Sequence, residues 1–125
     1  MANPPLISVV DDDDSVRESL QGLMRSVGFA VKAFVSAEEF LNWDQLRDTD
    51  CLILDVRMPG MNGIELQRHL MANHYEMPLI FITAHGSEEE EVRSRALRNG
   101  AVDFLPKPFS EDALLNAVRT ALSSK

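Results

Sequence analysis

Short, almost wholly apolar runs alternate along the chain with longer stretches whose apolar residues recur at helical spacing. Leu6-Ile7-Ser8-Val9-Val10 reads as a first strand, and Val16, Leu20, Leu23, Met24 and Val27 then form one face of a helix that Gly28 stops. Phe29 to Phe34 gives a second strand. Ser36-Ala37-Glu38-Glu39 has the capping-box spacing that starts a short helix through Phe40, Leu41 and Trp43. The third strand is Cys51-Leu52-Ile53-Leu54-Asp55, followed by Ile64, Leu66, Leu70 and Met71 in a helix that fades near Asn73. Pro78 to Thr83 is the fourth strand. Ser87-Glu88-Glu89-Glu90 repeats the capping-box spacing, with Arg93, Arg95 and Arg98 following as the helix dipole favours, until Gly100. Ala101 to Leu105 reads as a fifth strand, Pro106-Lys107-Pro108 as a rigid loop, and Ser110 caps a last helix carrying Leu114, Leu115, Val118 and Leu122.

Strands joined by helices through short connections imply a parallel sheet covered on both faces, since crossovers are right-handed. The expected fold is α/β: a doubly wound five-stranded parallel sheet of order 2-1-3-4-5, in a single domain over residues 1–125. Its switch point lies between strands one and three, so Asp11 and Asp12 should face Asp55. An aspartate before Pro59 and Gly60 would ordinarily be read as the start of a turn. Here it shares a pocket with two more carboxylates, and like charges this close repel unless a cation joins them. Hard oxygen ligands without His or Cys favour Mg²⁺ over zinc. Asp13 and Asp14 read as solvated and dipole-compensating, with Asp14 or Ser15 as the N-cap of the first helix.

Composition narrows the function classes. Of 125 residues, 45% are hydrophobic, which suits one globular domain. The net charge is -8 and the 12 basic residues are scattered, which argues against direct nucleic-acid binding. Cys51, the one cysteine, lies in an apolar run and reads as a buried, inert thiol. No apolar stretch approaches the ~20 residues that span a bilayer, and Met1 to Pro5 do not resemble a signal peptide. A soluble, cytoplasmic protein without membrane contact is expected.

Four motifs in register now carry a resemblance: Val9-Val10-Asp11-Asp12, Asp55-Val56-Arg57-Met58-Pro59 with Gly63, Phe81-Ile82-Thr83-Ala84, and Phe104-Leu105-Pro106-Lys107-Pro108. Together they resemble the receiver domain of bacterial two-component response regulators, a flavodoxin-like (βα)5 fold, over essentially the whole chain. The stretch from Gly100 to Phe109 further resembles receivers of the FixJ/NarL kind, which precede helix-turn-helix output domains.

The resemblance implies that Asp55 is a nucleophile taking a phosphoryl group from a histidine kinase or phosphotransfer protein. It implies Mg²⁺ held by Asp12, Asp55 and the Arg57 carbonyl, with Asp11 acting directly or through water. Lys107 and Thr83 would each meet a phosphoryl oxygen. Thr83 would then draw inward and Phe104, where the family often has tyrosine, would turn into the space vacated. That switch would act on a surface of the fourth helix, fifth strand and fifth helix, where a phosphorylation-dependent homodimer would form. Arg57 and His85 would flank the phosphoryl site, at positions where the family tunes dephosphorylation, while His85 reads equally well as a solvent-exposed loop histidine. The Lys107-Pro108 bond is expected to be cis, because a kink there turns Lys107 inward. Catalysis is limited to self-catalysed phosphotransfer and autodephosphorylation, and the subclass implies a C-terminal DNA-binding output domain outside these residues.

Rival readings come from other classes. A flavodoxin-like redox carrier needs a first loop that cradles phosphate, which four aspartates repel. A small-molecule phosphohydrolase needs a cap insertion and a second acid for the leaving group, neither of which is legible. A degenerate receiver serving only as a binding module ordinarily lacks the phosphorylatable Asp or the Lys, and both are present.

Overall fold

The computed structural model describes residues 3–84 and 89–123. A five-stranded sheet runs in the order β2-β1-β3-β4-β5, every neighbour parallel. The strands are β1 (Leu6–Val10), β2 (Ala30–Phe34), β3 (Cys51–Asp55), β4 (Leu79–Thr83) and β5 (Asp103–Pro106). The helices are α1 (Asp14–Ser26), α2 (Ala37–Leu41), α3 (Gly63–Ala72), α4 (Glu89–Arg98) and α5 (Glu111–Ser123), with a 3-10 turn over Leu46–Asp48.

Side chains alternate across a strand, so each apolar run splits between two cores. Ile7, Val9, Ile53, Ile80 and Ile82 join Leu20 and Met24 of α1 and Leu114 and Val118 of α5. Val10, Leu52, Leu54, Phe81 and Phe104 face the other way, onto Phe40 of α2, Leu66 and Leu70 of α3 and Ala96 of α4. β3 and β4 are buried at every position, as unbroken apolar sequence requires of inner parallel strands.

Several boundaries differ from those the sequence predicts. Asp13, rather than Asp14 or Ser15, caps α1, accepting from the Ser15 and Val16 amides. An earlier aspartate wins because its extended backbone aims its carboxylate at two otherwise unpaired donors. β2 begins at Ala30, because the Phe29 amide is already given to the Met24 carbonyl in closing α1. α2 stops at Leu41, leaving Trp43 beyond it against Phe34, with ring centroids 5.4 Å apart. Ser36 does cap α2, while Glu39 reaches back to the Val35 amide rather than to Ser36. β5 starts two residues late, since the Gly100 and Ala101 amides close α4 onto Leu97 and Ala96. Met71 is 48% exposed and is not a core residue. The second expected capping box, Ser87 to Glu90, begins outside the described residues.

Candidate functional site

The register of β1 on β3 sets Val10 opposite Leu54. The next residue on each, Asp11 and Asp55, therefore emerges on the same rung at the carboxyl edge of the sheet. Asp11 is fully buried and Asp55 is 5% exposed, while Asp12 turns to solvent. Carboxylate oxygens of Asp11, Asp12 and Asp55 all lie within 4.8 Å of one another.

The fourth charge arrives from the sheet edge. β5 pairs Pro106 with Thr83, and the Lys107 amide continues the ladder to the Thr83 carbonyl at 2.7 Å. The Lys107-Pro108 bond is cis, as expected. The ammonium lies 2.9 Å from Asp11 Oδ2 and 3.3 Å from Asp55 Oδ2, with 18% of the side chain exposed. An ordinary solvated loop lysine would not reach inward like this.

Electrostatics follow from that packing. Burial raises the Asp55 pKa above its usual value and the Asp11 charge adds to this, while Lys107 and the Arg57 amide oppose it without cancelling it. Burial alone would lower the Lys107 pKa, but the hydrogen bond to Asp11 and the two carboxylate charges hold it above the ordinary lysine value. Three carboxylates and one ammonium leave a formal charge of minus two among hard oxygen donors. A divalent, oxygen-seeking cation such as Mg²⁺ fits that donor set.

Backbone contacts hold the acids in place. The Asp13 amide donates to Asp11 Oδ1 at 2.9 Å, and Arg17 donates to the Asp11 carbonyl at 2.7 Å while pairing with Asp14. The Arg57 amide lies 3.4 Å from Asp55 Oδ1, and the Arg57 side chain points outward. Thr83 is buried at the end of β4, its hydroxyl donating to the Ala84 carbonyl at 3.2 Å. The Phe104 ring is buried in this state, 4% exposed and 5.9 Å from the Phe81 ring. Without a hydroxyl to keep it wet, its burial against Phe81 is favoured from the outset. His85 lies outside the described residues.

Sequence reasoning missed the supports. Asn62 and Glu65 form a complete capping box that fixes the start of α3, legible in principle from the Asn-x-x-Glu spacing. Gly63 packs so closely that an added Cβ would sit 2.3 Å from the Asp55 carbonyl oxygen. Glu38 of α2 accepts the Met61 amide across 23 residues, a contact no local pattern announces.

Comparison with known proteins bears on this arrangement. A family model for the response regulator receiver domain matches residues 7–119. Response regulator protein TmoT of Ectopseudomonas mendocina is 49% identical over 117 residues, covering 94% of this chain and 52% of its own. Transcriptional regulatory protein FixJ of Azorhizobium caulinodans is 45% identical over 116 residues, covering 93% and 54% respectively. A crystal structure of FixJ-N is 37% identical with a TM-score of 0.86, covering 98% of this chain and 96% of that one. A low-resolution structure of response regulator StyR is 50% identical with a TM-score of 0.87, covering 96% and 60%. The chain spans about half the length of the curated relatives it matches.

Proposed function

Since the chain belongs to the response regulator receiver family, we propose that Asp55 is its phosphoacceptor, taking a phosphoryl group from a phosphohistidine on a partner protein. The observation that carries this reading is the Lys107 ammonium held between Asp11 and Asp55, beside a third carboxylate. An Asp55 oxygen forms the new O–P bond as the P–N bond breaks, and the electron pair leaves on the imidazole. Asp55 is suited to attack because it is fixed at a strand end with little hydration to shed. Lys107 neutralises charge on a transferred oxygen, and Thr83 donates its hydroxyl to another after leaving the Ala84 carbonyl. Asp11, Asp12, Asp55 and the Arg57 carbonyl are the proposed holders of Mg²⁺, which when bound supplies further neutralisation of the phosphoryl oxygens. Turnover is restricted to self-catalysed phosphotransfer and hydrolysis of the acyl phosphate.

The partners belong to the same proposal. FixJ is named a transcriptional regulatory protein and is longer than the matched region. A kinase or phosphotransfer donor, and a DNA-binding output domain regulated through α4, β5 and α5, fit a receiver of that lineage. A homodimer through that surface after phosphorylation completes the reading. No described helix is long and apolar enough to cross a membrane. The test is intact mass after incubation with Mg²⁺ and acetyl phosphate. One labile phosphoryl adduct, absent in Asp55→Asn, is expected; an adduct that survives this substitution would reassign the acceptor.

A further inference from the structure

The loop after Asp55 is held at two points. At its far end, the Gly63 amide donates to the Val56 carbonyl at 2.9 Å, and Gly63 lies against the Asp55 and Val56 backbone with no room for a Cβ. At its tip, Gly60 adopts φ +75 and presses onto Glu38, whose Oε2 would lie 2.7 Å from a Cβ placed there. The same oxygen accepts the Met61 amide at 2.9 Å. Arg57, whose carbonyl is expected to face the metal, lies between Asp55 and this anchored tip. The loop tip, Arg57 and Asp55 therefore form one short backbone path from Glu38 to the carboxylate cluster.

Glu38 is placed for this task by the rest of the α2 terminus. Ser36 caps the helix and Glu39 turns back to the Val35 amide, so neither of those side chains is available to the loop. Ala37 and Phe40 are buried in the core and fix the helix against the sheet. The Glu38 carboxylate receives the Met61 amide and also its own backbone amide, and these two bonds lower its pKa. Resting on the reading of Asp55 as phosphoacceptor, we propose that Glu38 is a positioning residue: it braces the β3–α3 loop and so sets the geometry in which Asp55 and the Arg57 carbonyl meet Mg²⁺. It touches neither metal nor phosphoryl group and acts through the loop backbone.

An ordinary alternative is that Glu38 serves only the α2 dipole. Two substitutions separate them, because Glu38→Gln keeps an oxygen for the Met61 amide and loses the charge, whereas Glu38→Ala loses both. The assay is the rate of Asp55 phosphorylation by acetyl phosphate across a Mg²⁺ titration, with amide exchange at Met61 followed in parallel. Glu38→Ala is expected to raise the half-saturating Mg²⁺ by about tenfold, the lower end of what orienting partners of metal ligands are worth. Met61 exchange should quicken with it, and Glu38→Gln should restore most of both. Equal losses in the two variants would assign Glu38 to the dipole and overturn the brace. So would a Glu38→Ala protein with wild-type Mg²⁺ dependence. A wild-type chain that takes no phosphoryl group on Asp55 would instead overturn the phosphoacceptor reading, and this inference with it.

Discussion

Replacing Lys107 with alanine should destabilise the protein at neutral pH by a margin that nearly vanishes in acid. At an effective dielectric of ~20, separations of 2.9 and 3.3 Å correspond to attractions of roughly 5 to 6 kcal/mol each. Those gross figures are opposed by the desolvation of the ammonium and of the two buried acids. Removing one partner of a fully buried pair costs about 3 to 5 kcal/mol. Lys107 keeps 18% of its side chain in water, so a loss near 2 kcal/mol is the better figure. In a chain of 125 residues that is roughly 6 to 8 °C in Tm. The pH dependence carries its own sign. Asp55 has a folded pKa above 3.8, so its favourable contribution is present below that value and is lost as pH rises through the raised one. Without the ammonium the raise is larger, so the variant falls further behind with each step toward neutrality. Lys107 itself contributes fully below 10.5, and its contribution is lost as pH climbs through its raised value. Wild type and variant should thus converge at both extremes. Thermal unfolding by circular dichroism from pH 4 upward reads this directly, and Mg²⁺ should stabilise the variant more than the wild type because it meets an uncompensated cluster. A deficit of the same size at pH 4.5 and 7.5 would show that Lys107 contributes packing rather than charge.

Other perturbations separate the site from its scaffold. Asp12→Ala should leave metal-free stability unchanged or raised, by relief of like-charge repulsion, and should abolish the rise in Tm that Mg²⁺ gives the wild type; an unaltered Mg²⁺ titration would remove Asp12 from the ligand set. Gly63→Ala should cost more than about 2 kcal/mol, because its Cβ would meet the Asp55 carbonyl oxygen at 2.3 Å and that backbone is confined. Urea unfolding measures it, and a near-neutral result would mean the α3 start shifts freely. His74→Gly should stabilise by about 0.5 to 1 kcal/mol, since His74 holds φ 63 where α3 closes. Chemical denaturation checks that, and phosphorylation of Asp55 should be untouched because His74 lies at the opposite edge of the sheet.

The sheet was legible because its strands are apolar without interruption, and that pattern has few alternatives in a chain this short. Helix ends were harder. Asp13 competes with Asp14 and Ser15 for one cap, and only the backbone angle decides among them. Asp11, Asp12, Asp55 and Lys107 could be nominated because each ends a strand, and strand ends converge when the strand order is known. What the order cannot give is distance: the family resemblance implied that Lys107 meets a phosphoryl oxygen, and neither it nor the order showed the ammonium bonded between two acids. The packing of Phe104 on Phe81 was not legible, because a side chain's resting rotamer depends on neighbours that lie far away in sequence. Glu38 was invisible for the same reason.

β3 has a partner on each side and is buried at every position, while β5 lies at the sheet's edge and is partly open. Asp55, the proposed acceptor, is thus built into an inner, fully buried strand, and Lys107 directly follows the edge strand. Amides of β3 should exchange with solvent far more slowly than those of β5. Substitutions along β5 and its loop should then shift the ammonium and leave the acids where they are. The neutralising charge and the acids it meets thus belong to different parts of the sheet, so a descendant of this sequence can move the one without rebuilding the other.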